Sequence, residues 1–425
     1  MSLTLETAND VLKLDYKGPL REQLNNTTFL LSQIESNTDD IVGKHAVVPI
    51  HTSRTSGVGA RAEGGTLPTA GNQGYNDVRV PLRRNYGRIQ ISGPTIQAMS
   101  SDRGAFVRAV ESETQGAADD LKRDVNRQVH GTSNGVIATA GTTTTSNTLQ
   151  LLASATSRTQ LRQAWNQGGM VIDIGTVANP TAVASARTVT AVDYTNETIT
   201  ISGAAVSTTS GTHFIFRHGN GGASNNSGNP GGQDGQYELT GLQSIVSDTA
   251  DIQTIDTSAT PVWKSQVFAN GGTLRALSEN LVNRAIQRTE IESGEQIKLL
   301  LSGDAVNRAA ASLLTATRRN VDNVDLEAGY RGIKWTALAE GMRQSGGDCA
   351  LVWDQDCKEN TLYGLATDKL VQYVGSDWEW MDQDGAVLSR VSNKDAYEAT
   401  MFKYHEVATT KRNAHFRIDD ISHVD

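Results

Sequence analysis

The stretch from Ser56 to Gly74 holds six glycines in nineteen residues and separates two runs of extended character. His45–Arg54 lies on the near side. On the far side Val78, Val80 and Leu82 alternate with polar residues, and Ile89 and Ile91 repeat the pattern. Period-two alternation places successive apolar side chains on one face of a strand. Two such runs around a glycine-rich tip predict a long hairpin. With about twelve residues per limb at ~3.3 Å each, it would reach roughly 40 Å. A two-stranded ribbon with nothing over its faces is not stable alone.

Charge sets the same segment apart. From Lys44 to Ser92 there are one lysine, six arginines and two acids, a net +5, while the whole chain is −9, so everything else sums to −14. A basic loop can serve nucleic acid, but aromatic rings to stack on bases are scarce here, only Tyr75 and Tyr86. A basic hairpin on an acidic chain more naturally docks on an acidic surface of a neighbouring copy. Arg54, Arg61, Arg79, Arg83, Arg84 and Arg88 are therefore the candidates for contacts between subunits. The overall negative charge argues against a sequence-specific DNA binder.

Ahead of the hairpin, Met1–Val42 carries seven acids against three bases. A weak helical pattern starts at Pro19, with Leu20, Leu24, Leu31 and Ile34 near one face. A lone helix that short is marginal in water, so the segment reads as an arm that needs another surface. Behind the hairpin, Ser100, Ser101 and Asp102 offer N-caps to a helix reaching about His130. Phe106, Val110, Ala117, Leu121, Val125 and Val129 form its apolar stripe, and its length is roughly 40 Å at 1.5 Å per residue.

Thr139–Ser146 reads as a polar loop and Ser157–Gln167 as a short helix. Gly168 opens a β-rich module with strands expected at Met170–Val177, Ala184–Val192, Thr198–Ser202 and His213–Arg217, the middle pair turning at Asn196–Glu197. Short, evenly spaced strands predict a small barrel or sandwich. Gly219–Gln236, with seven glycines and four asparagines, is a linker by composition. From Tyr237 the chain is mixed α/β. Leu274, Leu277, Leu281 and Ala285 mark a helix, Ile297–Leu301 a strand, and Asp304–Thr317 another helix. A strand-rich remainder follows, with a tight turn within Trp378–Gly385. The expected division is thus an arm (1–43), a hairpin (44–96), the long helix with the start of a following domain (97–167), an inserted module (168–220), a linker (221–236) and an α/β remainder (237–425).

A chain of 425 residues exceeds one ordinary core. Its apolar fraction of 37% is low for a compact globule of that size, which fits extended parts or packing against copies of itself. No apolar run reaches membrane-spanning length and Met1–Asp10 lacks a signal-peptide core, so a cytosolic origin is expected. Cys349 and Cys357 read as two reduced thiols.

Motifs for chemistry fail on inspection. Gly57-Val58-Gly59 with Ala62 matches a relaxed dinucleotide fingerprint, but a phosphate site needs a helix there, and Gly64, Gly65, Pro68 and Gly71 forbid one. His213 and His218, five apart on a strand, point to opposite faces. Asp382, Asp384 and Gly385 resemble part of a calcium loop, yet the first and twelfth positions would be Trp380 and Val391; a β-turn explains Asp-Gly better. No Gly-x-Ser-x-Gly elbow occurs. The expectation is a protein that is not an enzyme, with no catalytic residue, cofactor or metal to nominate.

The order of parts resembles the Hong Kong 97-type major capsid proteins of tailed bacteriophages, in which an N-terminal arm and a long extended hairpin precede a spine helix and intermixed peripheral and axial domains. Gly57–Gly71 (GVGARAEGGTLPTAG), Tyr86–Ala98 (YGRIQISGPTIQA) and the ending from Asp382 through Lys411-Arg412-Asn413-Ala414 to Asp420 are similar to capsid proteins of actinobacterial phages. The resemblance covers nearly the whole chain and implies an α+β capsid fold in which the module is an insertion. It implies a subunit that assembles as hexamers and pentamers into an icosahedral shell around double-stranded DNA in the host cytoplasm, and that ends in the virion capsid. The partners implied are many copies of itself, a portal protein, a separate scaffolding protein and a decoration protein, with no membrane involved. Another virion component, such as a tail-tube or decoration protein, is the alternative; a long helix between hairpin and α/β region argues against it. Some members join subunits through an isopeptide bond from a hairpin lysine. Here the hairpin's only lysine is Lys44, at its base, and arginine is a poor nucleophile, so a shell without covalent crosslinks is expected.

Overall fold

A computed structural model describes residues 29–42, 45–95, 103–151, 169–221, 237–316, 323–325, 331–335, 349–382, 387 and 389–422, with the backbone alone at 103–112, 314–316, 323–325 and 331–335. Residues 1–28, Lys44, the caps Ser100–Asp102, the side chains of Phe106 and Val110, the helix expected at Ser157–Gln167, most of the linker, and residues 383–385 of the Trp378–Gly385 turn lie outside them.

The described chain opens with one helical turn, Phe29–Ser32, then β1 (Glu35–Asn37), β2 (Ile41–Val42), β3 (His45–Ser53), β4 (Gly74–Pro81) and β5 (Arg83–Ser92). Strands β3 and β4 pair antiparallel from His45–Pro81 to Ser53–Gly74, and β2 adds a short third strand. The hairpin exists, with limbs of nine and eight residues rather than twelve. Strand β5 leaves it at Leu82 and joins a different sheet.

The long helix, Arg103–His130, follows. Leu121, Val125 and Val129 are buried as the stripe predicts. Next come β6 (Val136–Thr139), β7 (Thr143–Ser146), β8 (Thr148–Gln150), β9 (Val171–Gly175), β10 (Ala184–Asp193), β11 (Thr198–Ile201), β12 (Val206–Thr208) and β13 (Phe214–Arg217). Six form one sheet in the order β6-β13-β9-β10-β11-β8, and β12 pairs with β7. Ile137, Leu149, Ile172, Ile174, Val189, Ile199 and Ile215 close a core of the module's own. The module therefore begins at Val136, not Gly168. Thr139–Ser146, read as a loop, contains strand β7: runs of threonine and serine carry no apolar alternation, although threonine's branched Cβ suits a pleat. The β10–β11 connection is a four-residue loop, 194–197, between the paired Asp193 and Thr198, rather than a two-residue Asn196–Glu197 turn, and Glu197 sits in it at φ 54°.

The remainder contains a helical turn (Leu242–Ile245), β14 (Gln266–Phe268), a helix (Glu279–Ser293), β15 (Leu299–Ser302), a helix (Asp304–Ala316), β16 (Asn323–Asp325), β17 (Arg331–Trp335), β18 (Cys349–Trp353), β19 (Leu362–Leu365), β20 (Leu370–Trp380), β21 (Ser389–Arg390), β22 (Ala396–Thr409) and β23 (Phe416–Ile418). Seven strands form a mixed sheet, β14-β23-β19-β15-β18-β17-β16. Leu274 and Leu277 precede the helix they were expected to start; Ser278 caps it by accepting from the Leu281 N–H, and Gly294 ends it at φ 72°.

The other large sheet joins distant parts of the chain. Strand β22 pairs with β20 on one edge and with β5 along ten residues on the other, while β1 lies parallel to β20. Around it one core combines Phe29, Leu30 and Ile34, the hairpin root (Ala46, Val78, Val80), Val125 and Val129 of the long helix, and Tyr373 and Val407. Two expectations change. Residues 29–37 pack against the chain's own core rather than waiting for another surface, and the root of the hairpin is covered. Only its outer part stands free.

Candidate assembly interface

The outer hairpin is a small, exposed surface with mixed chemistry. Val58 and Leu67 are 82% and 81% exposed. Arg61 braces the tip, its Nε donating to the Thr66 carbonyl at 3.1 Å and its Nη1 to that of Ala60 at 2.9 Å. At the neck, His51 Nε2 lies 2.6 Å from Gln73 Oε1, and the His51 ring sits 5.3 Å from that of Tyr75. With Arg54, Thr55 and Val58 these residues form a shallow cup. Gly74 lets the limbs close: a Cβ there would lie 2.2 Å from Ser53 Oγ.

The six arginines divide. Arg54, Arg61, Arg79, Arg84 and Arg88 are exposed and Arg83 is buried. Two are paired within the chain: Arg83 Nε donates to Glu406 Oε2 at 3.1 Å in a buried pair, and the exposed Arg88 is bonded to Glu398. As a contact between subunits Arg83 is withdrawn, because strand alternation turns it into the sheet's interior. The Arg88 guanidinium is already engaged.

Glu406 belongs to a buried polar joint that sequence reasoning missed. Burial pushes its carboxyl above the usual carboxylate range, with Arg83 opposing, and it accepts from the N–H groups of Thr240 (2.7 Å) and Val407 (2.9 Å). Nearby, Gln128 Nε2 donates to Asn85 Oδ1 at 3.0 Å and to Asp124 Oδ2 at 2.9 Å. Asp124 also receives Arg127 at 3.1 Å and, from the module, Arg217 at 2.7 Å. Burial would raise the Asp124 carboxyl, but the two guanidiniums overcome it and hold it at about 2. Arg127 reaches on to Glu238 at 3.2 Å. His405, between Asn85 (3.0 Å) and Gln372 (2.7 Å), is lowered by desolvation to about 3 and stays neutral. Nothing in the sequence marked these groups, since a balanced mix of acids and bases on a helix reads as a solvated face. In fact Arg123 through His130 is buried on every side.

A Cys-His-Asp grouping also emerged. His130 Nε2 is 3.2 Å from Asp354 Oδ2, and Cys357 lies beside them. Desolvation raises the Cys357 thiol, the reverse of an activated nucleophile, and all three side chains are buried. The arrangement is a packed ion pair. Cys349 and Cys357 are buried and not joined in a disulfide. His218 pairs with Asp173 at 2.9 Å and His213 accepts from the Thr209 N–H, so they form no metal pair. Among the described residues no cluster of His, Cys, Asp or Glu has metal-binding geometry, and no helix is long and apolar enough to cross a membrane.

No family model matches the sequence, and no curated protein does. Solved structures do. The capsid asymmetric unit of cyanophage A-1(L) superposes with a TM-score of 0.56 over 99% of both chains, at 16% identity. This is the Hong Kong 97-like capsid fold. Other structures of similar outline are the holo-SrpI encapsulin complex of Synechococcus elongatus PCC 7942 (TM-score 0.45, 8% identity, 100% of this chain and 98% of that one) and one from Mycobacterium phage Bobi (0.44, 8%, 99% of each). Among the described residues, the outer hairpin and the edge of β5 away from β22 carry no paired strand.

Proposed function

We propose that the chain is the major capsid protein of a tailed, double-stranded DNA bacteriophage, a structural part rather than a catalyst. The observation that carries this reading is the match to a phage capsid subunit over 99% of both chains. The outer hairpin supports it. Its exposed Val58 and Leu67 would gain burial against another surface; its exposed Arg54 and Arg61, with the exposed Arg79 and Arg84 beyond it, have no carboxylate partner among the described residues and would gain pairing there. Hexamers and pentamers of such a subunit close into a shell because each contact, weak alone, repeats under symmetry. Portal, scaffolding and decoration proteins are the partners of that role, packaged DNA is held without sequence specificity, and assembly takes place in the host cytoplasm.

Electron microscopy of the purified recombinant protein, alone and with any co-encoded scaffold, tests the reading. Closed shells or hexamers are expected. A monodisperse monomer under all conditions would overturn it.

A further inference from the structure

Strand β5 has one open edge. Among the described residues it pairs only with β22. The register runs unbroken from Arg83–His405 to Ser92–Ala396, and one step further the Gly93 N–H donates to the Asp395 carbonyl at 2.8 Å. Bonded and non-bonded positions alternate along an antiparallel ladder. The odd-numbered residues of β5 therefore turn their N–H and C=O groups to β22. Arg84, Tyr86, Arg88 and Gln90 turn theirs outward, where no described backbone group meets them.

A slot of about 390 Å³ runs beside this edge, with β5 on one side and Ala117, Leu121 and Asp124 of the long helix on the other. The helix sits close over the odd-numbered face: a Cβ on Gly87 would lie 3.1 Å from Leu121 Cδ2. Arg84 to Gln90 spans about 20 Å of strand at ~3.4 Å per residue. The carboxylates that line the slot are already paired within the chain, Asp120 with Arg123, Asp124 with Arg127 and Arg217, and Glu238 with Arg127. Arg84 is exposed and has no carboxylate partner among the described residues. The edge thus offers main-chain donors and acceptors under a surplus positive charge.

We propose that the open edge of β5 receives an extended segment of a second copy of this chain as an added strand. This rests on the capsid reading. Main-chain bonds supply the affinity in such strand addition, and flanking side chains the selectivity. A second copy is the occupant the charge favours, since the chain outside residues 44–92 carries −14. The competing account is that Arg84 and Arg88 are charges that keep an edge from pairing with anything.

Hydrogen exchange with residue-level mass spectrometry separates the two. Shells assembled from the recombinant protein alone are compared with the unassembled protein, so that the only strand donor present is another copy. The amides of Tyr86 and Arg88 should slow at least a hundredfold on assembly, while those of Asn85 and Gly87 are slow in both forms. Equal rates for Tyr86 and Arg88 in shells and free protein would overturn the inference while leaving the shell-forming role intact. Absence of shells under any condition would instead strike that role. Protection that appears only after a scaffolding protein is added would assign the edge to a different partner and defeat the proposal. Two variants add an independent reading: Tyr86→Pro removes an outward N–H and no bond to β22, and Arg84→Glu reverses the charge with the backbone untouched. Each should keep its far-UV circular dichroism and lose at least tenfold in shell yield; normal yield from both would also refute the proposal.

Discussion

Replacing Arg83 by alanine should unfold this protein far more readily than the same change at Arg84, one residue away. Arg83 is buried against Glu406, whose own side chain is almost wholly hidden. Removing one member of a buried pair leaves the other charge uncompensated, which typically costs about 3–5 kcal/mol. Glu406 keeps its two backbone donors, Thr240 and Val407, so the low end, about 3 kcal/mol, is expected. That is more than a hundredfold in the folded-to-unfolded ratio. Arg84 is exposed, and its truncation should stay within about 0.5 kcal/mol. The assay is urea unfolding of the unassembled protein, followed by tryptophan fluorescence. A pH dependence should accompany it. With Arg83 gone, burial raises the Glu406 carboxyl further above its unfolded value, so the deficit is fullest at high pH and shrinks as pH falls and the carboxyl takes a proton. A loss below about 1 kcal/mol for Arg83→Ala, or equal losses at both positions, would refute the account of Arg83 as the inward-facing, paired residue of β5.

Three further outcomes are expected. Deleting 136–221, the module with its full sheet, should leave a soluble protein with its helices intact, whereas deleting only 170–217 should strand β6 and β8 and cause aggregation; circular dichroism and size exclusion distinguish the two, and the reverse ranking would show the boundary to be wrong. Acidification from pH 6.5 to 4 should lower stability by up to about 2.7 kcal/mol per pH unit, because desolvation lowers buried His405 and His415 to about 3 and only the unfolded chain takes up their two protons; His405→Gln should halve the slope, and an unchanged slope would exclude His405 as a contributor. Mature particles boiled in detergent with reductant should give one band near 45.6 kDa, and a reductant-resistant ladder with a Lys–Asn linkage would contradict a non-covalent shell.

The sequence was most informative where period and glycine content acted locally. The hairpin, the long helix and four module strands stand close to where alternation placed them, because Val78, Val80, Ile89 and Ile91 face one way in any sheet that holds them. What was illegible is pairing between distant segments. Nothing in Arg83–Ser92 says that its partner lies at 396–405, so β5 looked like a continuation of the hairpin and Arg83 like a free charge. The buried joint was hidden for a related reason. Asp124, Arg127 and Gln128 resemble an exposed helix face until Glu238, Arg217 and Asn85 arrive from three other places in the chain.

The core that gathers Phe29, Val80, Tyr373 and Val407 also governs the order of events during synthesis. Arg83 leaves the ribosome 322 residues ahead of His405, its partner in the ladder. At 5–20 residues per second that is roughly 15–65 s during which β5 has no partner strand and the hairpin root lacks much of the core it packs against. The module, whose strand pairings lie within 136–217, can fold meanwhile. A nascent chain of this protein therefore carries a finished bead between two unfinished ends. Its vulnerable period is set by translation speed as much as by final stability, and holdase chaperones that cover residues 45–92 should raise its yield more than any change that strengthens the module.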